Sequence, residues 1–277
     1  MSVVSLKTER HYGRDEYRPT LRGILIPGIR GKLLATLYTA GSVGLHPTVL
    51  LLHGIPGNEQ NEDIAQALRR NGFHVLTFHY SGSFGSEGVY SLSNNLEDAN
   101  TVLDFILNDT DYGFEKSHIF AVGHSMGCFV CGQIAAKRKE IKGAVLMMPC
   151  DIGRIWRIGR DDPDELVKIE SLLEESADWL RGASKDRFLD ELKEHGEEFQ
   201  LESVADQLAE KPTFCVEASL DIHTPPKYHC KPFENTMQAA GKARVKVLSL
   251  ETDHFASDYR LEMAKAVVNF LRGLLHS

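Results

Sequence analysis

Short runs of apolar residues alternate along the chain with longer segments in which apolar residues recur every three or four positions. An unbroken run such as 49–52 is typical of a strand that is buried on both faces of a parallel sheet. The apolar runs predict eight strands, at 21–26, 33–38, 48–52, 75–78, 119–122, 143–147, 213–216 and 245–250.

The segments with helical spacing predict helices between these strands. They lie at 62–70, 92–107, 126–137, 233–240 and 261–271. Alternation of strand and helix favours a mainly parallel sheet with helices on both faces. The first two strands are joined by the turn-forming sequence Pro27-Gly28-Ile29-Arg30-Gly31, which predicts a leading antiparallel hairpin. The fold class is therefore α/β.

A step in charge marks one segment as different from the rest. Residues 151–211 contain 9 Lys and Arg against 18 Asp and Glu, a balance of −9, whereas the whole chain carries −8. Apolar residues in this segment follow helical spacing, and Asp162-Pro163-Asp164-Glu165 resembles a helix start. We therefore predict an α/β core at 1–150 and 212–277, with an acidic helical cap, or lid, at 151–211 inserted after the sixth strand.

Composition excludes several classes of protein. The 277 residues suit one large α/β unit, and 42% hydrophobic and 25% charged residues are ordinary globular values. The apolar runs are far shorter than the roughly 20 residues that span a membrane, and the N-terminus does not resemble a secretory signal. The net negative charge argues against a nucleic-acid partner. We expect a cytoplasmic protein without membrane or nucleic-acid partners, and the sequence leaves its oligomeric state open.

The first chemical signal is the sequence Gly123-His124-Ser125-Met126-Gly127, which fits Gly-x-Ser-x-Gly. It lies where the fifth predicted strand must turn sharply into a helix. A serine at such a turn has a strained backbone, and small residues two positions to either side avoid collision. This placement predicts that Ser125 is a nucleophile.

A serine nucleophile needs a base, and the base needs a carboxylate that orients it. His254 follows the last predicted strand and is the candidate base. Asp221 follows the preceding strand and is the candidate carboxylate, with Asp151 as its main rival. Asp253, although adjacent to His254, is expected to point away. The order Ser125, Asp221, His254 is that of an α/β-hydrolase triad.

Attack on a carbonyl also needs hydrogen-bond donors where negative charge develops. The tight loop His53-Gly54-Ile55-Pro56-Gly57 directly follows the third strand. The backbone N–H groups of Ile55 and Met126 are the candidate oxyanion-hole donors. We interpret His53 as a brace for this loop rather than as a base.

These motifs resemble the α/β-hydrolase superfamily over most of the chain. The sequences 52–58 and 80–88, together with the serine motif, resemble more narrowly its serine aminopeptidase-like and feruloyl esterase-like branch. The resemblance implies an ester or amide substrate and a cap between the sixth and seventh strands. One departure is that Ser81 stands before Gly82 and Phe84 is interposed, where many relatives have Arg-Gly-x-Gly-x-Ser. The substrates of those relatives therefore cannot be assigned directly to this protein.

Other signals are weaker. Cys128 and Cys131 have the spacing of a redox pair but lie in an apolar helix, which favours packed structural thiols. No His, Cys and carboxylate grouping has convincing metal spacing, and His223, His229 and Cys230 are too dispersed. No phosphate-binding or dinucleotide motif occurs. We expect neither a metal nor a cofactor.

The primary hypothesis is a serine hydrolase that cleaves a small carboxylic ester through an acyl-enzyme intermediate. An aminopeptidase or amidase with the same triad is an alternative, because the acidic cap offers carboxylates for a substrate amine. A non-catalytic binding protein on the same fold is a second alternative. A dehalogenase or epoxide hydrolase is disfavoured because the residue at the turn is serine and not aspartate.

Overall fold

The computed structural model describes residues 18–239 and 245–275. Eight strands form one sheet in the order β1-β2-β4-β3-β5-β6-β7-β8. The strands are β1 (Leu21–Gly28), β2 (Gly31–Tyr38), β3 (His46–Leu52), β4 (His74–Phe78), β5 (Phe114–His124), β6 (Ile141–Met147), β7 (Thr213–Ala218) and β8 (Val245–Leu250).

The sheet is parallel from β4 to β8 and antiparallel at its β1 edge. β1 pairs with β2, and β2 with β4, in antiparallel register, while the remaining neighbours pair in parallel. The predicted eight-stranded, mostly parallel sheet with a leading hairpin is confirmed. β5 begins five residues before the predicted start, because Phe114 is buried and pairs with His46 of β3 at the far end of the sheet.

Ten α-helices are found in the described residues. They are α1 (Glu62–Arg70), α2 (Leu92–Asn108), α3 (Met126–Lys137), α4 (Ile155–Asp161), α5 (Pro163–Ala177), α6 (Lys185–Phe199), α7 (Ala205–Leu208), α8 (Pro226–His229), α9 (Lys231–Ala239) and α10 (Arg260–Leu274). Ala240, the predicted last residue of the helix at 233–240, lies outside the described residues.

Alternating side chains of the central strands serve two separate cores. In β3, Leu50 and Leu52 join the core that packs against α2 and α3, whereas Val49 and Leu51 join the core beneath α1 and α10. Because side chains alternate across a strand, a strand that is apolar at every position satisfies both faces. Both faces of the sheet are therefore packed, and the carboxyl ends of the parallel strands lie together at one of its edges.

Residues 151–211, here called the helical insert, connect β6 to β7. They contain α4 to α7 and two short 3₁₀ turns, Ile152–Arg154 and Glu202–Val204. Glu191 of α6 accepts hydrogen bonds from the backbone N–H groups of Leu92 and Ser93, at 2.8 and 2.7 Å, and so joins the insert to the start of α2. Among the described residues, no helix is both long enough and apolar enough to cross a membrane.

Candidate active site

Ser125 lies in the sharp turn between β5 and α3. Its φ of 56° and ψ of −125° are strained for a residue other than glycine. Its backbone N–H donates to the carbonyl of Met147 at 3.0 Å, which holds the turn against β6. A Cβ on Gly123 would overlap the carbonyl of Gly127, and a Cβ on Gly127 would overlap the carbonyl of Leu52. The small residues that flank Ser125 are therefore required by close backbone contacts.

Asp221 and His254 form a buried pair at the ends of β7 and β8. Nδ1 of the imidazole donates to Oδ2 of the carboxylate at 2.7 Å. The other oxygen, Oδ1, accepts the backbone N–H groups of His223 and Thr224 at 2.8 and 2.9 Å. Burial alone raises the pKa of Asp221, but the hydrogen bond and charge of His254 outweigh it and lower this pKa to about 2. The carboxylate is thus ionised at neutral pH.

Thr224 supports this pair and was not among the residues predicted from the sequence. Its hydroxyl donates to Oδ2 of Asp221 at 2.8 Å and lies 3.2 Å from Nδ1 of His254. The side chain is buried. A threonine three residues after an aspartate in a turn was the available signal, because such residues satisfy the turn's polar groups locally.

His124, the residue before Ser125, contacts the other side of the candidate base. Its Nε2 lies 3.1 Å from the backbone carbonyl of His254. Burial lowers the pKa of His124 to about 3, so that the ring is neutral and Nε2 must carry the proton that it donates. The turn that holds Ser125 is thereby connected directly to the loop that holds His254.

Ser125 and His254 line one cavity of about 240 Å³ at the carboxyl edge of the sheet. Within the described part of the chain the Ser125 hydroxyl makes no hydrogen bond, and so it shares the cavity with the imidazole without being bonded to it. Five residues of the helical insert also line the cavity: Ile152, Ile155, Ile169, Leu172 and Leu173. The wall that the insert provides is therefore entirely aliphatic.

Ile55 and Met126 border the same cavity. Among residues 18–239 and 245–275, neither backbone N–H donates a hydrogen bond. A Cβ on Gly54 would lie 2.8 Å from Cβ of Ser125, so this loop reaches the serine because Gly54 has no side chain. The two N–H groups are thus available beside Ser125.

The loop that carries Ile55 is braced from behind. The ring of His53 is buried, and its Nδ1 lies 2.6 Å from the carbonyl of Gly54, which agrees with the bracing interpretation. Burial lowers the pKa of His53 to about 3, so it is neutral. The hydroxyl of Ser83 donates to the carbonyl of Pro56 at 3.0 Å, a support that sequence reasoning missed.

The two rival carboxylates make other contacts. Asp151 is fully buried, but its Oδ2 accepts the backbone N–H of Leu201 at 3.2 Å. Asp253 accepts from the backbone N–H groups of Phe255 and Ser257, both at 3.0 Å. Neither carboxylate bonds to the imidazole of His254 in the described structure. Asp221 is therefore the carboxylate that the fold brings to this imidazole.

The cysteines lie outside the cavity, with the exception of Cys150. Sγ of Cys128 donates to the carbonyls of Gly123 and Met147, and burial raises the pKa of this thiol, as expected for a packed structural group.

One group in the described residues has the composition of a metal site. It consists of Cys215, Cys230 and Glu234, whose ligand atoms lie within 4.8 Å of one another. The ammonium of Lys231 bonds to Glu234 at 3.1 Å and already supplies a positive charge there. This group was not predicted from the sequence, because Cys215 lies on β7 and meets Cys230 and Glu234 only in the folded chain.

Comparison with known proteins agrees with this architecture. A family model described as the α/β-hydrolase fold matches residues 47–166. Est1E from Butyrivibrio proteoclasticus superposes with a TM-score of 0.71 at 18% identity, over 92% of this chain and 99% of that chain. The protein has the α/β-hydrolase fold. The resemblance to this superfamily that the motifs indicated is confirmed, whereas the narrower branch stays a prediction.

Solved proteins of similar structure differ in their named activities. Esterase Pf2001 of Pyrococcus furiosus has a TM-score of 0.68 at 17% identity, over 92% of both chains. An acylaminoacyl peptidase of Pyrococcus horikoshii has a TM-score of 0.70 at 14% identity, over 92% of this chain and 42% of that one. At these identities the likeness shows the fold alone, and the reaction must be argued from the site.

Proposed function

We propose that this α/β hydrolase is a serine hydrolase that cleaves a small carboxylic ester, with Ser125, His254 and Asp221 as its catalytic triad. The observation that carries the proposal is the buried bond from His254 to Asp221, beside a strained serine in the same cavity. Strained backbone at a cavity wall is typical of functional residues, because folding alone does not favour it.

The hydrogen bonds of the imidazole define its role. Because Nδ1–H is held by Asp221, Nε2 of the neutral ring carries a lone pair and can accept the proton of the Ser125 hydroxyl. The serine oxygen then bonds to the ester carbonyl carbon, and the carbonyl π electrons move to its oxygen. The open contact between Ser125 and His254 suits this step, since catalytic hydrogen bonds often shorten only when substrate binds.

Negative charge on the carbonyl oxygen is stabilised by the backbone N–H groups of Ile55 and Met126. The proton on Nε2 next passes to the departing alkoxide, which leaves as the alcohol. Water, deprotonated by the same nitrogen, attacks the acyl-enzyme; the tetrahedral adduct then collapses, with the proton returning to Ser125, and releases the carboxylic acid.

An ester without a free amine is favoured by the lining of the cavity. An aminopeptidase needs a carboxylate that receives the substrate's ammonium group. None of the acidic residues of the helical insert lines the cavity, and Glu59 is the one carboxylate side chain among its described lining residues. Glu59 already accepts the backbone N–H of Asn61 at 2.6 Å. We propose that the insert acts as an apolar cap over the acyl group.

Labelling with a fluorophosphonate probe tests the nucleophile. The native protein should be labelled at Ser125, as located by peptide mass spectrometry, whereas Ser125→Ala and heat-denatured protein should not be labelled. Labelling of Ser125→Ala at another serine, to the same extent, would overturn the assignment.

Substrate panels test the reaction class. p-Nitrophenyl esters should be hydrolysed faster than aminoacyl p-nitroanilides, relative to their uncatalysed rates. Faster anilide hydrolysis would show a peptidase. An absence of turnover across esters, thioesters and amides, with Ser125 unreactive, would indicate a binding protein.

A further inference from the structure

Four histidines line the cavity, and one of them, His229 at the end of α8, has no role in the proposed triad. The side chain is buried and lines the cavity beside the insert. Its Nδ1 accepts the backbone N–H of Asp151 at 3.1 Å. This bond fixes the orientation of the ring and occupies one of its two nitrogens.

The protonation of this ring follows from its surroundings. Burial lowers the pKa of His229 to about 4, so the ring is neutral at pH 7. Because Nδ1 is an acceptor, the single ring proton is on Nε2. In the described part of the chain no protein atom accepts this proton, and Nε2 is not sealed from the cavity that the ring lines.

Much of the remaining cavity lining is apolar or already bonded. The insert contributes aliphatic side chains, and the hydroxyl of Thr224 is used by Asp221. Nε2 of His124 already donates to the backbone carbonyl of His254. Nε2–H of His229 is therefore a fixed donor that has no acceptor among the described residues.

The cavity is enclosed along its buried lining residues and open at Phe255. Ile152, Ile155 and Leu173 are buried, and Ile152 follows Asp151, whose backbone N–H bonds to His229, whereas Phe255 is 41% exposed. Asn58 and Glu59 border the cavity near Phe255 and also line a groove on the surface. During turnover the alcohol must leave while the acyl group remains bonded to Ser125. The enclosed part therefore suits the acyl group.

We propose that Nε2–H of His229 binds a neutral oxygen acceptor on the acyl chain, so that the preferred substrates are esters of apolar acids bearing a keto, ether or hydroxyl oxygen. This inference rests on the proposed function. A carboxylate is disfavoured, because the neutral ring supplies no positive charge to balance it. A plain hydrocarbon chain leaves the N–H unpaired, which is unfavourable in a buried site.

The test compares acyl chains that differ by one oxygen. The substrates are p-nitrophenyl hexanoate, 4-oxohexanoate and 5-oxohexanoate, assayed with native protein, His229→Phe and His229→Gln. Native protein should hydrolyse at least one oxo ester with a kcat/KM about tenfold higher than that of hexanoate. In His229→Phe the KM for the oxo esters should rise to that for hexanoate, so that the preference disappears. His229→Gln retains an N–H donor and should restore part of the preference.

Each outcome bears on one proposal. Equal kcat/KM for all three esters in native protein overturns the role of His229, even if His229→Phe does not fold. A preference that survives in His229→Phe, or a loss equal for all three esters, overturns it as well. A native protein that hydrolyses none of them and is not labelled at Ser125 refutes instead the hydrolase function on which the inference rests.

Discussion

The carboxylate of Asp221 receives four hydrogen bonds inside the protein, from two backbone N–H groups, one hydroxyl and one imidazole. Its charge is therefore stabilised without exposure to water. The pKa near 2 means that its stabilising effect is complete above about pH 4 and is lost as the pH falls toward 2. The geometry of the imidazole is thus maintained throughout the neutral range.

Asp221→Asn removes the charge and keeps the shape. We expect kcat for ester hydrolysis to fall by about 10³- to 10⁴-fold, because an amide no longer enforces the Nδ1–H tautomer or stabilises the imidazolium. Steady-state kinetics with a p-nitrophenyl ester measure the effect. Asp253→Asn is the matched control, since that exposed carboxylate bonds only to its own turn. A loss of less than tenfold in Asp221→Asn would exclude this residue from the triad.

Asp151 has the opposite electrostatic character. Burial raises its pKa from 3.8 to about 7, and its Oδ1 has no partner among the described residues. The folded state therefore favours the neutral acid, and this contribution to stability is complete below about pH 4 and lost as the pH rises toward 7.

Asp151→Asn should stabilise the protein relative to the native chain as the pH rises. The difference in free energy of unfolding should increase by on the order of a few kcal/mol between pH 4 and pH 8, because asparagine does not ionise. Thermal melts at several pH values measure it. Asp161→Asn, on an exposed side chain of the same insert, should show no such trend. A pH-independent difference for Asp151→Asn would contradict the raised pKa.

At the scale of elements, the junction of β5 and α3 depends on backbone contacts that tolerate no side chain. Gly127 lies in the first turn of α3 against the carbonyl of Leu52, whereas Gly132, in the same helix, faces the flexible end of the Leu201 side chain. A side chain at Gly127 would therefore meet rigid backbone, whereas a side chain at Gly132 would meet a leucine side chain that can move.

Gly127→Ala should destabilise the protein by about 3 kcal/mol or more and abolish hydrolysis, because the turn must shift to relieve the overlap. Gly132→Ala should change stability by about 1 kcal/mol or less, since the gain in helix propensity offsets the movement of Leu201. Urea unfolding and ester kinetics measure both. Equal effects of the two substitutions would show that overlap at Leu52 does not control the turn.

Sequence patterns predicted the elements whose stabilising contacts are local or repetitive. All eight strands and the helices between them were found, because fully apolar strands and helical stripes report burial directly. Four helices, α4, α6, α7 and α8, were not placed individually. They are short or strongly charged, and their buried sides are defined by contacts such as that of Gly153 with the chain near Gly196.

The candidate site was predictable to the extent that chain order reflects sheet order. The placement of Ser125, Asp221 and His254 followed from the ends of three strands. The contacts of Thr224, His124 and His229 did not, because each depends on the direction in which a loop side chain turns after the strand ends. Their residue types are common in loops and carry no distinctive spacing.

For the whole molecule, the association of the helical insert with the sheet is the feature that shapes the cavity. Glu191 of α6 accepts two backbone N–H groups at the start of α2, where the helix dipole also favours a negative charge. Because the insert supplies the aliphatic wall, its position controls the size of the cavity.

Glu191→Gln should weaken this association by about 1 to 2 kcal/mol. We expect faster proteolysis within the insert and a raised KM for hexanoate esters, with kcat changed little, since the triad lies on other elements. Limited proteolysis and steady-state kinetics measure these effects. Glu194→Gln, on the same helix with a largely exposed side chain, is the control. Unchanged proteolysis and KM in Glu191→Gln would show that other contacts hold the insert.

The chain between β7 and α9 carries Asp221, Thr224 and His229 within nine residues. One short connection thus supplies the proposed triad carboxylate, its supporting hydroxyl and the proposed hydrogen-bond donor to the acyl oxygen. Lengthening or shortening this connection would alter reactivity and selectivity together. Efforts to redirect the protein toward other acids should therefore alter the aliphatic side chains of the helical insert and leave this connection intact.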